Sequence, residues 1–117
     1  MLLVHYPRCG TCQKAEKWLE SRGIAYETRD IKKENPAEGD IKAWRKKSGL
    51  PLKKFFNTSG NSYKALGLKE KLADMSEDDQ IKLLAADGML VKRPILVADD
   101  FVLVGFREEE WEKRLGA

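Results

Sequence analysis

The chain has 117 residues, a length that suits one compact domain spanning 1–117. Its 42% hydrophobic and 35% charged residues can fill a core and still solvate a surface, which excludes wholesale disorder. A net charge of +3, from 22 basic and 19 acidic residues, is not the footprint of a dedicated nucleic-acid binder.

Leu2 to Tyr6 is a short apolar segment that stops at Pro7 and reads as a buried strand. It is too short and too poorly flanked for a signal peptide. No apolar run approaches the roughly 20 residues that span a bilayer. A cytosolic protein with no membrane partner and no direct nucleic-acid partner is therefore expected. From Thr11 the pattern turns helical, with Cys12, Ala15, Trp18 and Leu19 on one face and Gly23 as the stop. Ile24 to Ile31 mixes branched and aromatic residues with polar ones and suggests a second strand. A β-α-β opening implies parallel strands and a right-handed crossover.

The middle is helical. Asn35-Pro36 reads as an N-cap followed by proline at the first helical position, and Ser48-Gly49 ends that helix. Leu52, Phe55 and Phe56 form a short apolar face, and Asn57 to Ser62 is a polar break. Tyr63, Leu66 and Leu68 resume a turn or two. Ser76-Glu77-Asp78-Asp79 resembles a capping box that opens another helix, closed by Asp87-Gly88. Ile95–Val97 and Phe101–Val104 are apolar runs joined by a short turn, an antiparallel hairpin. A last helix follows from about Glu108 to Leu115, with Trp111 and Leu115 four apart and able to pack on the sheet. The order is β-α-β, a helical block from about 36 to 87, then β-β-α. That is a thioredoxin-like α/β fold with a mixed four-stranded sheet and a large helical insertion at one end of the sheet.

The two cysteines, Cys9 and Cys12, stand three apart between the first strand and the first helix. A disulfide across so short a span closes almost no loop and stabilises little. Zinc normally takes four ligands, and this chain adds only His5 to its two thiols. The strand–helix context favours redox chemistry over a purely structural pair or half of a shared metal site. Cys9 falls at the helix N-terminus, where unpaired backbone N–H groups favour an anion, so its thiolate should form below the usual pH. Cys12 lies one turn deeper. Cys9 is thus the candidate nucleophile and Cys12 the resolving thiol. Arg8 could add positive charge.

Lys92-Arg93-Pro94-Ile95 is a second constellation, with proline where a strand tolerates it. On the residues alone, Arg93 and Arg107 face solvent more readily than an anion, and the bond before Pro94 is expected trans. His5 and the three tryptophans, Trp18, Trp44 and Trp111, read as packing residues. Lys42, Arg45, Lys46 and Lys47 read as a solvated face.

Taken together, Tyr6 to Cys12, Lys14-Ala15, Phe55 to Gly60, Tyr63, Leu66, Gly88, Lys92 to Ile95 and Val104-Gly105-Phe106 resemble the arsenate reductase (ArsC) and Spx family. The resemblance covers nearly the whole chain and is nearest an ArsC-like, Spx-related branch. It implies that Cys9 is the attacking thiol, that Arg93 sits beside a cis Pro94 whose backbone faces the Cys9 sulfur as part of the site, and that Arg93 and Arg107 serve an oxyanion. A third arginine of the family falls at Asn57, whose amide brings hydrogen bonds but no charge. Weak arsenate reduction would follow. The resemblance implies no bound cofactor and an external thiol reductant, glutathione with glutaredoxin or thioredoxin. A monomer is expected. The alternative is an Spx-type redox-sensing regulator that binds the RNA polymerase alpha subunit, with Gly49 near the contact. The chain ends at Ala117, without the longer Spx tail, which ranks that alternative second.

Overall fold

A computed structural model describes residues 1–116. Its centre is a four-stranded sheet in the order β2-β1-β3-β4, built from β1 (Leu2–His5), β2 (Glu27–Asp30), β3 (Ile95–Val97) and β4 (Val102–Val104). β1 pairs parallel with β2, and antiparallel with β3, which pairs antiparallel with β4. The parallel pair is joined by helix α1 (Gly10–Ser21), the β-α-β opening expected from the pattern. The expected hairpin is also present, with Ala98 N–H donating to the Phe101 carbonyl at 2.9 Å to close its turn. The mixed sheet and helices make this an α/β, thioredoxin-like fold.

Successive strand residues point to opposite faces of a sheet, and here each face has its own core. Leu3, Leu96 and Leu103 face one way, onto Ala15, Trp18 and Leu19 of α1 and Trp111 of α6 (Glu108–Leu115). Val4, Ile95 and Val102 face the other way, onto the helical block. That block contains α2 (Glu38–Ser48), α3 (Asn61–Ala65), α4 (Leu68–Lys71) and α5 (Glu77–Ala86), linked by short 3-10 turns. It contributes Ile41, Trp44, Phe55, Phe56, Ile81 and Leu84. The insertion, expected at one end of the sheet, instead covers one whole face as its second outer layer, because Val4, Ile95 and Val102 on that face need apolar cover. The tryptophans are all buried, as their spacing indicates.

Two boundaries differ from the sequence reading. Helix α2 starts at Glu38, with Ala37 rather than Asn35 at its N-cap. Asn35 is used elsewhere: its side-chain amide donates to the Ala85 carbonyl and ties the loop to α5. Asp40 takes over part of the capping, accepting from Ala37 N–H at 3.0 Å. The second strand is limited to Glu27–Asp30, with Ile24 and Tyr26 packed beneath the small core instead of paired along β1. The Ser76 cap is as expected, with its hydroxyl accepting from Asp79 N–H at 3.2 Å.

Candidate functional site

The site begins where β1 ends. Cys9 N–H donates to the Tyr6 carbonyl at 2.9 Å, closing a turn through Pro7 and Arg8. Gln13 fastens the turn by donating from its side chain to the Pro7 carbonyl at 2.9 Å. The turn delivers Cys9 as the N-cap of α1, with extended backbone. Its sulfur thus stands where a capping oxygen would, among N–H groups that have no intrahelical partner.

The two thiols of this turn sit in contrasting surroundings. Cys9 is half-buried and Cys12 is fully buried. Burial alone would raise the Cys9 pKa. Hydrogen bonds from the Cys12 backbone and thiol, the Arg93 charge and the Thr11 backbone outweigh it, and hold Cys9 below the usual thiol range. For Cys12, burial is also the largest influence, and the neighbouring Cys9 adds to it. Together they outweigh a hydrogen bond from the Tyr6 backbone and push the thiol up to about 12. The two thiols are therefore pushed in opposite directions by their environments, although both are cysteines three apart.

Opposite Cys9 lies a cavity of about 310 Å³ lined by Thr11, Asn57, Ser59, Lys92, Arg93, Arg107 and the Val104–Phe106 backbone turn. Its lining carries three cationic side chains and no carboxylate. Arg93 is fixed from several sides. Its guanidinium lies 5.3 Å from the Tyr6 ring centroid and donates weakly, at 3.4 Å, to the Met89 and Val91 carbonyls. Its Nε is buried without a partner. The Arg93–Pro94 peptide is cis, as the family resemblance implied and the residues alone did not. Arg107 is the exposed N-cap residue of α6. Gly105 between them has φ of 76°, the left-handed region that glycine adopts without strain. Its carbonyl accepts from buried Trp111 Nε1 at 3.1 Å, so the small core anchors the cavity wall.

Of the residues singled out in the sequence, Cys9, Asn57, Arg93 and Arg107 meet at this cavity. Cys12 lies beneath Cys9, and Pro94 is buried outside the lining, its carbonyl accepting from Gly105 N–H at 2.8 Å. Arg8 sits exposed in the turn and does not line the cavity, because the bond from Cys9 N–H to Tyr6 folds the turn with Arg8 outward. Lys92, Thr11 and Ser59 were not singled out. Lys92 had a signal, since it opens the Lys-Arg-Pro segment already noted, and Thr11 lies inside the C-x-x-C. Ser59 lies in the Phe55 to Gly60 segment that carries the family resemblance, but nothing in that segment gave it a role of its own. His5 is largely buried, as a packing residue should be, with its Nδ1 3.5 Å from a Glu16 carboxylate oxygen and without a hydrogen bond.

Comparison with known proteins bears on the family and the fold. The model of the ArsC family matches residues 4–114. The chain belongs to the ArsC family. It is 54% identical over 108 residues to the uncharacterized protein YusI of Bacillus subtilis, covering 92% of each. It is 27% identical to the global transcriptional regulator Spx of Staphylococcus epidermidis, covering 89% of this chain and 78% of Spx. Among solved structures, an ArsC-family-related protein from Bacteroides fragilis superposes with a TM-score of 0.93 at 57% identity, covering 96% and 94% of the two chains. A protein described as a possible arsenate reductase from Streptococcus mutans gives 0.85 at 47% identity, covering 95% and 96%.

Proposed function

We propose that this ArsC-family protein is a thiol–disulfide oxidoreductase in which Cys9 attacks and Cys12 resolves. The observation that carries the reading is the contrast between the two thiols. Cys9 opens onto the cationic cavity with its pKa lowered, while Cys12 is buried and held protonated. In the forward step the Cys9 thiolate attacks one sulfur of a disulfide and releases the other as a thiol. Cys12 then loses its proton, attacks the Cys9 sulfur and expels the second thiol. Two electrons pass from the protein to the substrate, and an external thiol such as glutathione or reduced thioredoxin restores the pair. Such an exchange suits a cytosolic, reducing setting.

Arsenate reduction is a narrower version of the same chemistry. Arg93 and Arg107 would receive the oxyanion, and Asn57 would supply an amide where the family's third cation is expected. The activity should be weak.

The experiment is oxidation of the reduced protein by hydroxyethyl disulfide, followed by mass spectrometry and by limiting alkylation. A two-proton mass loss that Cys9→Ser and Cys12→Ser both abolish, with alkylation mainly at Cys9, is expected. Labelling mainly at Cys12, or no oxidisable pair, would end the proposal.

A second reading rests on one surface feature together with the Spx relative. Beyond the left-handed Gly49 cap of α2 lies an open groove lined by Lys42, Lys46, Gly49, Leu50 and Pro51. On the family resemblance this is where an Spx-type contact to the RNA polymerase alpha subunit would fall. A pull-down with that subunit tests it, and retention lost with Gly49→Arg would favour the regulator.

A further inference from the structure

A second concave site lies beside the thiol cavity. It has a volume of about 470 Å³, and its floor is the buried Phe56, Tyr63 and Leu72. Its rim carries Lys53, Lys54, Lys69 and Lys92, all exposed, and no carboxylate lines it. None of these four lysines forms an ion pair among the described residues, although other cations of the chain do. A cleft lined by one sign of charge over low-dielectric walls concentrates ligands of the opposite sign. The aromatic and aliphatic floor adds a place for an apolar segment between the charges.

Lys92 lines both cavities. Its N–H donates to the Phe55 carbonyl at 2.8 Å, and its aliphatic stem lies so close to Gly105 that a Cβ there would meet Lys92 Cε at 2.8 Å. Gly105 is part of the wall facing Cys9. The lysine-lined cavity thus adjoins, across one side chain, the cavity onto which Cys9 opens. Size and charge together describe a molecule with a reactive sulfur at one end and an anionic arm behind it.

We infer that the substrate of this site is a low-molecular-weight disulfide with an extended anionic arm, whose carboxylates or phosphates lie among Lys53, Lys54 and Lys69 while its sulfur meets Cys9. The inference rests on Cys9 being the attacking thiol and adds the class of molecule it attacks. The exchange consumes one disulfide and the two protein thiols. It yields two small-molecule thiols and the Cys9–Cys12 disulfide, with Lys92 and the lysine rim acting on binding alone.

The test uses the full chain, reduced, at low ionic strength, where charge steering is least screened. Its oxidation rate is measured with hydroxyethyl disulfide, glutathione disulfide and coenzyme A disulfide, which present no charge, carboxylates on a short arm and phosphates on a long arm. Each rate is divided by that of the same disulfide with free dithiothreitol. The anionic disulfides should exceed the neutral one by about tenfold or more, and K54E/K69E should remove most of that advantage. The exposed pair K32E/K33E, which changes the net charge equally but lies outside both cavities, should leave it in place.

Loss of the advantage for coenzyme A disulfide alone assigns a phosphate-bearing arm, and loss for both assigns carboxylates as sufficient. An advantage that is absent, or that falls equally in both double variants, overturns the inference. A protein that does not react with hydroxyethyl disulfide fails the oxidoreductase reading instead. In that case calorimetric binding of coenzyme A to Cys9→Ser, with and without K54E/K69E, still decides: no binding, or binding indifferent to the substitutions, rejects the site.

Discussion

The two faces of the sheet are covered in different ways, and the candidate site draws on both. On one face α1 and α6 lie over Leu3, Leu96 and Leu103 with a small core dominated by rings. Trp111 meets Phe106 edge-on at 4.9 Å and Trp18 edge-on at 6.0 Å. On the other face the insertion covers Val4, Ile95 and Val102 with a wider, mostly aliphatic core built from short helices and turns. The first region supplies the sulfur chemistry through the start of α1. The second supplies Asn57 and Ser59, and the chain leading from it into β3 supplies Lys92 and Arg93. A thiol pair alone would be a generic redox centre. The insertion and the chain that follows it add polar and cationic groups beside the thiol, which on the proposed reading select what approaches it.

The sharpest way to break this comparison is to remove the ring that joins the small core to the cavity. Trp111 is fully buried, packs edge-on with two aromatic neighbours and holds the Gly105 carbonyl. Trp111→Ala should cost about 3–5 kcal/mol in urea unfolding, the range for deleting a buried aromatic side chain. Trp111→Phe keeps most of the packing but leaves that carbonyl unpaired, and should cost about 1–3 kcal/mol. A loss of less than about 1 kcal/mol for Trp111→Ala would show that the insertion alone carries the fold.

The next test moves to the insertion side. Asn57 lines the cavity with its side chain against Gly60, where an added Cβ would meet Asn57 Nδ2 at 2.8 Å. Asn57→Arg places a cation where the family pattern expects one. A hydrogen bond to a charged group is worth about 1.5–3 kcal/mol, so arsenate turnover should rise by about tenfold to a hundredfold. Turnover that is already strong in the natural protein and unmoved by the substitution would remove Asn57 from the account.

How legible these regions are in the sequence follows the same division. The α1 side rests on long periodic patterns and clear stops, and its helices and the hairpin are visible in Cys12 to Leu19, Ile95 to Val104 and Glu108 to Leu115. The insertion is assembled by contacts distant in sequence. Asn35 looks like a helix cap until its amide is seen at Ala85, fifty residues away. Gly88 looks like a helix stop, yet it also sits against Asn35, where a Cβ would meet Oδ1 at 2.7 Å. The thiol pair is readable because N-capping is local. Lys92 as the link between two cavities is not, because that role depends on Gly105 in the next strand turn. The cis bond before Pro94 came from family resemblance alone, since local sequence favours trans.

The smallest expected effect is on the Cys9 thiolate, and it tests whether the two regions act together. Arg93 approaches from the insertion side and lowers the Cys9 pKa, but its influence is smaller than that of the hydrogen bonds from Cys12. Iodoacetamide reacts with the thiolate, so the alkylation rate at Cys9 should rise with pH and level off above the Cys9 pKa. In the natural protein that midpoint should lie below the usual thiol range. Arg93→Gln removes the charge but keeps a polar side chain, so the midpoint should move upward, and at neutral pH the rate should fall. The plateau at high pH should change little, because there the thiolate is fully formed in either protein. High salt should raise the midpoint in the natural protein and leave it nearly unmoved in the variant, since only the charge is screened. Cys12 gives an internal control. Its thiol is held near 12 chiefly by burial, so it should stay unlabelled across the same pH range with or without Arg93. An unmoved Cys9 midpoint in Arg93→Gln would mean that the start of α1 tunes its own thiol, and that the insertion governs only what binds beside it.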